Sequence, residues 1–579
     1  MGHVFRHRHE KLPGYCIPAR FDALPWLDED LMRPALRLLA PEGLHRAMRR
    51  RVLPLPGPAG GRYCAVADEH AARWARRRGL VPVARLHPAT FLAALEDVAG
   101  PRAARNAAEE LARRRPDFSA RRRLSCHQKF LLIALLNALG AGALLAPEAT
   151  LTMLVVVTGL FFLLLAALRL AAAAHPAPVA DAPALDDDAL PVYTVLVPLY
   201  REDKVLGQLI GALNALDYPA EKLDIKLLVE EADAQTRAAL ERFRLPAHFE
   251  VLTVPDGQPR TKPRALNYGL AFARGELVTI FDAEDIPQPA QLRRAAALFA
   301  VLPEDVACLQ AQLAWYNADA SFFTRQIAIE YAMHFDVVLP FMAQMGMPLP
   351  LGGTSNHFRM RALDAIGRWD PHNVTEDADL GIRLARLGWR AHVLPGVTTW
   401  EEACATWRGW LHQRARWIKG WLQTWLVHMR EPAEVMRQCG WRGQFVLHAM
   451  LGAGVFAALA HPFFLLLITA GWLFPQPAEA GWLPAFTSAL SAMVLVLGYG
   501  ASIIAGLAGL RRRGLLRLAP WLVTLPLYWL AISAAAWLAV WDFAVRPHHW
   551  RKTAHGRMLA AGSRRARGPA RANRRARAK

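Results

Sequence analysis

The chain has 579 residues, so several domains are expected rather than one compact core. Apolar residues make up 54 %, high for a wholly soluble protein, and the formal net charge is +20. The six cysteines, at 16, 64, 126, 308, 404 and 439, include no CxxC pair, which argues against a disulfide framework or a zinc site and fits a reducing compartment.

In chain order, residues 1–125 read as a soluble, Arg- and Ala-rich module that opens on "MGHVFRHRHEK", with no pattern of a secretory leader. Apolar stretches long enough to span a bilayer follow at about 129–146 and 149–172, and again at about 445–474 and 482–510. Lys and Arg crowd the chain before the first ("RRRPDFSARRRLSCHQK") and after the fourth ("RRRG"), while the links "APEA" and "PQPAEAG" carry none. The positive-inside rule then places the N-terminus and the region 173–444 in the cytoplasm. A fifth apolar stretch, about 515–543, has basic flanks on both sides and is interrupted by Pro520 and Pro526. It reads as a re-entrant or broken hairpin. The segment 546–579 reads as a solvated basic tail; no nucleic-acid partner is expected.

Between the second and third spans, the linker "HPAPVADAPALDDDALP" opens a region of alternating strands and helices. Strands are predicted at 192–200, 223–231, 248–255 and 276–285, and helices at 206–216 and 263–275. The fold class expected over 190–425 is therefore an α/β domain with a mainly parallel sheet, inserted between transmembrane α-helices. Ligands in such sheets sit at the carboxyl ends of the strands. Two of those ends are acidic, at Glu230–Glu231 and at "FDAED" (281–285).

Clustered carboxylates at a strand end repel one another unless a cation joins them, and oxygen ligands suit Mg²⁺ or Mn²⁺. Asp282, Glu284 and Asp285 are the candidate metal ligands. Taken alone, the same acids could form a solvated turn after an edge strand. In "VTEDADLGIRLARLGWR", Thr375 could cap the following helix, with Glu376 and Asp377 at its positive end. The stretch 407–421, rich in Trp and Arg, could lie on a membrane surface.

Five segments in order, "VPLYRE" (197–202), "KPRALNYGL" (262–270), "FDAED", "VTED" (374–377) and "HQRARW" (412–417), resemble the membrane-embedded family 2 glycosyltransferases, the group of cellulose, curdlan and related exopolysaccharide synthases. The resemblance covers roughly 190–425 and the flanking spans. It implies a GT-A-like fold. It implies nucleotide contacts at Tyr200, Glu202, Glu231, Lys262, Asn267 and Asp282, and a metal on Asp282 with Glu284 or Asp285. Glu231 stands where the family often has a DDG-type sequence, and Glu284 fills the second place of its Asp-x-Asp. Asp377 would be the general base. Glu376, with Thr354 and Ser355 of "GTSNHF", and Gln413, Arg416 and Trp417 of the Gln-x-x-Arg-Trp signature would face the diphosphate and the acceptor; Trp410 could stack on a sugar.

The expected activity is inverting transfer of a hexose from a UDP-sugar to a growing, exported polysaccharide at a bacterial inner membrane, in contact with lipids and export subunits. Single transfer to a lipid acceptor and an inactive envelope scaffold stay open as alternatives. Residues 47–97 in turn resemble the N-terminal domain of type II secretion and pilus ATPases, through the "RRRVLPL" strand, a Gly-Gly turn, "VAD" and a second strand and helix. That implies a small α+β module. No Arg-Leu-Gly repeat of the kind that binds cyclic di-GMP in some relatives is found, so a docking or folding role is expected.

Overall fold

The computed structural model describes residues 20–55, 62–178, 182–474 and 482–547. It divides into two compact units, one of residues up to Asn106 with Tyr268–Gly275, the other of Ala107–Asn267 with everything from Glu276 onward.

The first unit is a small α+β fold. Helix α1 (Glu29–Arg37) starts at Asp28, whose carboxylate accepts from Asp30 N at 3.2 Å. Helix α2 (Pro41–Arg50) leads into β1 (Val52–Leu55), which pairs antiparallel with β2 (Tyr63–Val66). The Gly-Gly turn read between them lies outside the described residues. Helix α3 (Glu69–Arg77), capped by Asp68 on Ala71 N at 2.7 Å, carries the chain to β3 (Val81–Arg85), parallel to β2. Leu24, Val52, Cys64, Val66, Ala71, Ala72 and Ala75 form the core. Helix α4 spans Pro88–Arg114.

In the second unit, α5 (Cys126–Leu145) opens on a Ser125/Gln128 capping box, and α6 (Pro147–Ala174) follows after Ala146. The α/β domain is built from β4 (Tyr193–Leu199), α7 (Leu206–Asn214), β5 (Leu223–Glu230), α8 (Ala234–Leu240), β6 (Phe249–Val254), α9 (Lys262–Ala271), β7 (Leu277–Ile280), β8 (Ile286–Pro287) and α10 (Gln291–Val301). It continues through β9 (Val306–Trp315), α11 (Phe322–Met333), α12 (Leu339–Gln344), β10 (Asn356–Arg359), α13 (Met360–Ile366), α14 (Glu376–Arg386) and β11 (Arg390–Glu401). The strand order is β6-β5-β4-β7-β10-β9-β11-β8. Strands β6, β5, β4 and β7 run parallel, as expected from the alternation of strands and helices. Strand β10 is antiparallel to both β7 and β9, so the sheet is mixed.

The strand predicted over 276–285 stops at Ile280. The acids lie in the turn that follows, because Asp285 folds back and accepts from Asp282 N at 2.7 Å. Thr375 does not cap α14 with its side chain; it packs against Gly420, where an added Cβ would meet Thr375 Oγ1 at 2.2 Å.

Helix α15 (Trp407–His428) packs one side against two of the apolar helices. Its Ala415 and Ile418 cluster with Val455 of α17 (Ala453–Leu473) and with Ala535 and Ala536 of α19 (Leu525–Val545). Helix α16 (Pro432–Val446), broken at Gly440 (φ 62°), joins α17 through a π-turn, and α18 (Trp482–Arg513) follows.

Among the described residues, five helical stretches are long and apolar enough to cross a membrane: 126–145, 147–174, 432–473, 482–513 and 516–545. The fifth is a 3₁₀ segment, Leu516–Thr524, followed by α19. Its start meets the α/β domain, where Gln326 Nε2 donates to Trp521 O at 2.9 Å. Its end meets α15, where Gln423 Nε2 donates to Pro547 O at 2.8 Å, and also Arg123, which donates to Ala544 O at 3.1 Å.

Candidate active site

A cavity of about 530 Å³ opens at the carboxyl ends of β4, β5 and β7 and continues between the apolar helices. At the sheet end it is lined by Tyr200, Glu202, Glu230, Arg260, Lys262, Asp282 and Glu284. Thr354, Glu376, Asp377, Glu401, Gln413, Arg416 and Trp417 line its middle. Phe162, Arg169, Ala457, His461, Gly498 and Trp529 line its helical end. Most of the residues read from the sequence are thus brought to one space, from strand ends, the first turns of α9 and α14, and α15.

Lys262 is the hub of the charged part. Its Nζ stands 2.5 Å from Asp282 Oδ1 and donates to Gly353 O at 2.7 Å. Burial works against its charge, but Asp282, Glu376 and Asp377 outweigh it and hold its pKa above the ordinary lysine value. Asp377 Oδ1 accepts from Ala378 N at 2.7 Å. Burial raises the Asp377 pKa, opposed by that hydrogen bond and by the charges of Lys262 and Arg416. Glu376 is pushed up to about 7, by burial first and then by Asp377. The two acids at the start of α14 are therefore held together by a lysine and an arginine, and both are easier to protonate than free carboxylic acids.

The turn after β7 carries further negative charge. Glu401, at the end of β11, lies well above the ordinary glutamate value because it is buried and feels Asp285, Glu284 and Asp282. Asp285 is raised by burial, Asp282 and Glu284. Asp285 Oδ1 and Glu401 Oε1 are buried without a hydrogen-bond partner. Among the described residues no three His, Cys, Asp or Glu converge on one point able to hold a metal unaided. This crowded donor set of oxygens, with two of them buried and unpartnered, fits a hard divalent ion held by one or two carboxylates that completes its shell with phosphate oxygens and water.

Some residues named from the sequence fall outside the cavity. Asp285 is fully buried and faces the turn, bonding Asp282 N and Thr354 Oγ1. Glu231 is exposed one residue past the end of β5 and accepts from Asp256 N at 2.9 Å; the strand's last residue, Glu230, points inward instead. Glu230 pairs with Arg264 at 3.4 Å, yet burial pushes its pKa up to about 7. Asn267 clamps backbone, donating to Trp369 O at 2.8 Å and Ala107 O at 3.2 Å and accepting from Trp369 N at 3.1 Å. Ser355, in left-handed backbone (φ 55°), turns into the sheet to bond Thr399 Oγ1 at 2.6 Å. Trp410 is buried against Phe323, with ring centroids 5.0 Å apart, and stacks on Trp407.

The sequence reading noted Glu230 at a strand end but chose Glu231 as the nucleotide contact, and it missed Arg260, Glu330, Glu401 and Arg414. Arg414, the first residue of "RAR", makes a bidentate pair with Glu330 at 2.7 Å to each oxygen. Burial opposes the Glu330 charge, but Arg414 and the Tyr528 hydroxyl hold its pKa below the ordinary value. Both arginines of "RAR" line the cavity, but Arg414 is held by Glu330 while the charge of Arg416 acts on Asp377 and Glu376.

A mixed sheet of this order, with acids in the turn after its central parallel strand and a buried acid pair facing a lysine, is a GT-A-like arrangement. Residues 191–420 match the model of the family described as "Glycosyltransferase like family 2", and this region is a family 2 glycosyltransferase domain. The chain is 29 % identical over 242 residues to probable glycosyltransferase YdaM of Bacillus subtilis, covering 40 % of this chain and 55 % of that protein. It is 29 % identical over 247 residues to glucomannan 4-beta-mannosyltransferase 1 of Oryza sativa subsp. japonica, covering 42 % and 47 %. It is 29 % identical over 262 residues to beta-monoglucosyldiacylglycerol synthase of Synechocystis, covering 45 % and 54 %. The chain thus spans about half the length of the curated relatives it matches. Among solved structures it is similar to the mannosyltransferase PcManGT from Pyrobaculum calidifontis, in complex with GDP-Man and Mn²⁺, with a TM-score of 0.45 at 20 % identity, covering 68 % of this chain and 99 % of that one.

Proposed function

We propose that this chain is a membrane-embedded, inverting glycosyltransferase that moves a hexose from a UDP-sugar to a growing glycan, with the glycan leaving through the helical bundle. The observation that carries the reading is the cavity, which runs without a break from Asp282 and Asp377 to His461, Gly498 and Trp529 between α17, α18 and α19. A chain extended at Asp377 has a path into the bundle. The catalytic domain and both ends of the fifth apolar stretch would lie on the cytoplasmic side of a bacterial inner membrane, since the basic flanks and the contacts at Trp521 and Pro547 favour one side for both. Lipids, the UDP-sugar, the glycan acceptor and export subunits are the partners this implies.

In the reaction, Asp377 takes the proton of an acceptor hydroxyl as that oxygen attacks the anomeric carbon. The bond from that carbon to the diphosphate oxygen breaks on the opposite face, so the configuration inverts. Asp282 and Glu284 would hold Mg²⁺ or Mn²⁺, which supplies positive charge against the diphosphate. Lys262 orients Asp282, Arg416 faces the departing phosphates, and Trp417 offers a sugar-binding face.

A second reading, transfer of one sugar to a lipid, draws support from the similarity to beta-monoglucosyldiacylglycerol synthase. Purified protein in detergent, offered a panel of UDP- and GDP-sugars, separates the two. A high-mass product cut by a linkage-specific hydrolase supports the polymer reading; a single glycolipid species refutes it; no transfer from any donor refutes both.

A further inference from the structure

The helical end of the cavity holds a charge that transfer chemistry does not use. Arg169 lies on α6, inside the apolar stretch, and lines the cavity. Its Nη1 donates to Ser502 Oγ at 2.8 Å, and its guanidinium stands 5.7 Å from the centroid of the Trp529 ring. Among the described residues no carboxylate lies within ion-pair distance of it. The acid whose field reaches it, Glu330, is already bound bidentately by Arg414. A guanidinium in an apolar bundle is costly unless an anion or several acceptors join it.

Its surroundings suit a sugar ring. Trp529 stacks on Tyr499 at 4.8 Å and 29°, so the pair forms one stiff aromatic wall. His461 donates to or accepts from Tyr499 OH at 2.7 Å through Nε2, while its Nδ1 is buried without a partner. His461 is 1 % exposed to solvent and lines the same cavity. An aromatic wall, an unpartnered ring nitrogen and an unpaired guanidinium make a built subsite, and small residues, Ala457 and Gly498, leave room beside it.

We infer that Arg169, Trp529 and His461 form an acceptor subsite for a sugar unit bearing a carboxylate, so that the glycan handled here is anionic. The inference rests on the glycan-transfer reading above. A carboxylate would complete the charge of Arg169 through charge-assisted hydrogen bonds, with the sugar seated beside the aromatic wall. A neutral sugar would leave the guanidinium without its counter-charge.

The test compares two probes of the same backbone, cellotetraose and its C6-oxidised tetra-uronate, binding to full-length protein in phosphatidylcholine nanodiscs with UDP and Mn²⁺. Wild type is expected to bind the acidic tetramer roughly tenfold or more tighter than the neutral one. Arg169→Gln should bring the two within about threefold, with UDP affinity kept as the check on folding. Equal binding in wild type, or a preference that survives Arg169→Gln, overturns the inference; the wild-type arm stands alone if the variant does not fold. Loss of the preference in phosphatidylglycerol nanodiscs but not in phosphatidylcholine would assign Arg169 to a lipid phosphate and overturn it as well. If UDP binds but neither tetramer does, the subsite is wrong and the donor site stands. If UDP does not bind either, the transferase reading falls and takes the subsite with it.

Discussion

Replacing Asp377 by Asn removes one proton-accepting oxygen and almost nothing else. Oδ1 already accepts from Ala378 N at 2.7 Å, a bond that an Asn oxygen can also make. Oδ2 is the oxygen turned toward Gly353, where an added Cβ would meet it at 3.2 Å, and so toward the open cavity. Asn and Asp serve nearly alike at a helix start, so the change in stability should stay under about 0.5 kcal/mol. A positioned base contributes ~10²–10⁴-fold, so turnover at saturating donor should fall by at least ~10²-fold while UDP affinity stays within about threefold. In wild type the acid limb of kcat should lie above the ordinary carboxylate range, because burial raises the Asp377 pKa and the rate is lost as pH falls through it. Single-turnover transfer of a radiolabelled sugar, alongside calorimetry with UDP, reads all three quantities. Retention of more than about a tenth of wild-type turnover would show that Asp377 only holds the start of α14, and that the base lies elsewhere.

Other perturbations separate the roles further. EDTA should abolish transfer, and Asp282→Ala should weaken Mn²⁺-dependent UDP binding by at least ~10-fold; calorimetry in which neither matters would remove the metal from the site. Asn267→Ala, which frees the backbone at Trp369 and Ala107, should cost about 1–3 kcal/mol in denaturant titration and leave the UDP affinity of folded protein unchanged, whereas a nucleotide contact would show the reverse. Burial pushes the Glu230 pKa up to about 7 from the ordinary glutamate value of 4.5, so its contribution to stability is complete below pH 4.5 and lost as pH rises toward 7; Glu230→Gln should flatten the stability profile across that window. A reporter fused after Lys579 should be active on the cytoplasmic side, and activity only on the opposite side would mean that the fifth apolar stretch crosses the membrane.

The parallel half of the sheet was legible because short strand patterns at β4, β5 and β7 alternate with amphipathic helices. The acids that line the cavity drew notice because charge at the end of a strand has few structural uses. What escaped the sequence was orientation. Glu230 and Glu231 are adjacent and chemically alike, and only the last pleat of β5 decides which one faces the cavity. Asp285 reads as a third metal ligand until it turns back onto Asp282 N. Asn267 and Ser355 look like ligand contacts, yet both satisfy backbone or strand neighbours that are distant in the chain. Glu401 and Glu330 were invisible for a related reason. Each gains its meaning from a partner more than 80 residues away, Asp285 for one and Arg414 for the other. Trp410 and Trp417, grouped by composition, share one face of α15 seven residues apart; position along the helix separates them, since Trp410 packs on Phe323 while Trp417, two turns on, reaches the cavity.

The adjacent glycines 352 and 353 offer a further test of where the reaction occurs. Both line the cavity, and neither can gain a side chain without contact. At Gly352 the new Cβ would meet Phe335 Cζ at 3.0 Å and Leu313 Cδ1 at 3.1 Å, an apolar wall. At Gly353 it would meet Asp377 Oδ2 at 3.2 Å and Lys262 Nζ at 3.9 Å. Overpacking an apolar wall typically costs ~1–3 kcal/mol of stability, whereas a methyl group beside Oδ2 occupies space that an incoming hydroxyl would need. Gly352→Ala should therefore lower the denaturation midpoint while the folded fraction keeps most of its turnover. Gly353→Ala should keep the midpoint and lose turnover by ~10²-fold, the scale of a misplacement of about 1 Å between base and acceptor. The Gly353 carbonyl stays bound to Lys262 Nζ in either case, so UDP affinity should not change. If Gly353→Ala turns over at wild-type rate, the acceptor hydroxyl does not approach Asp377 from the Gly353 side, and the path from the acid pair into the helical bundle must be redrawn.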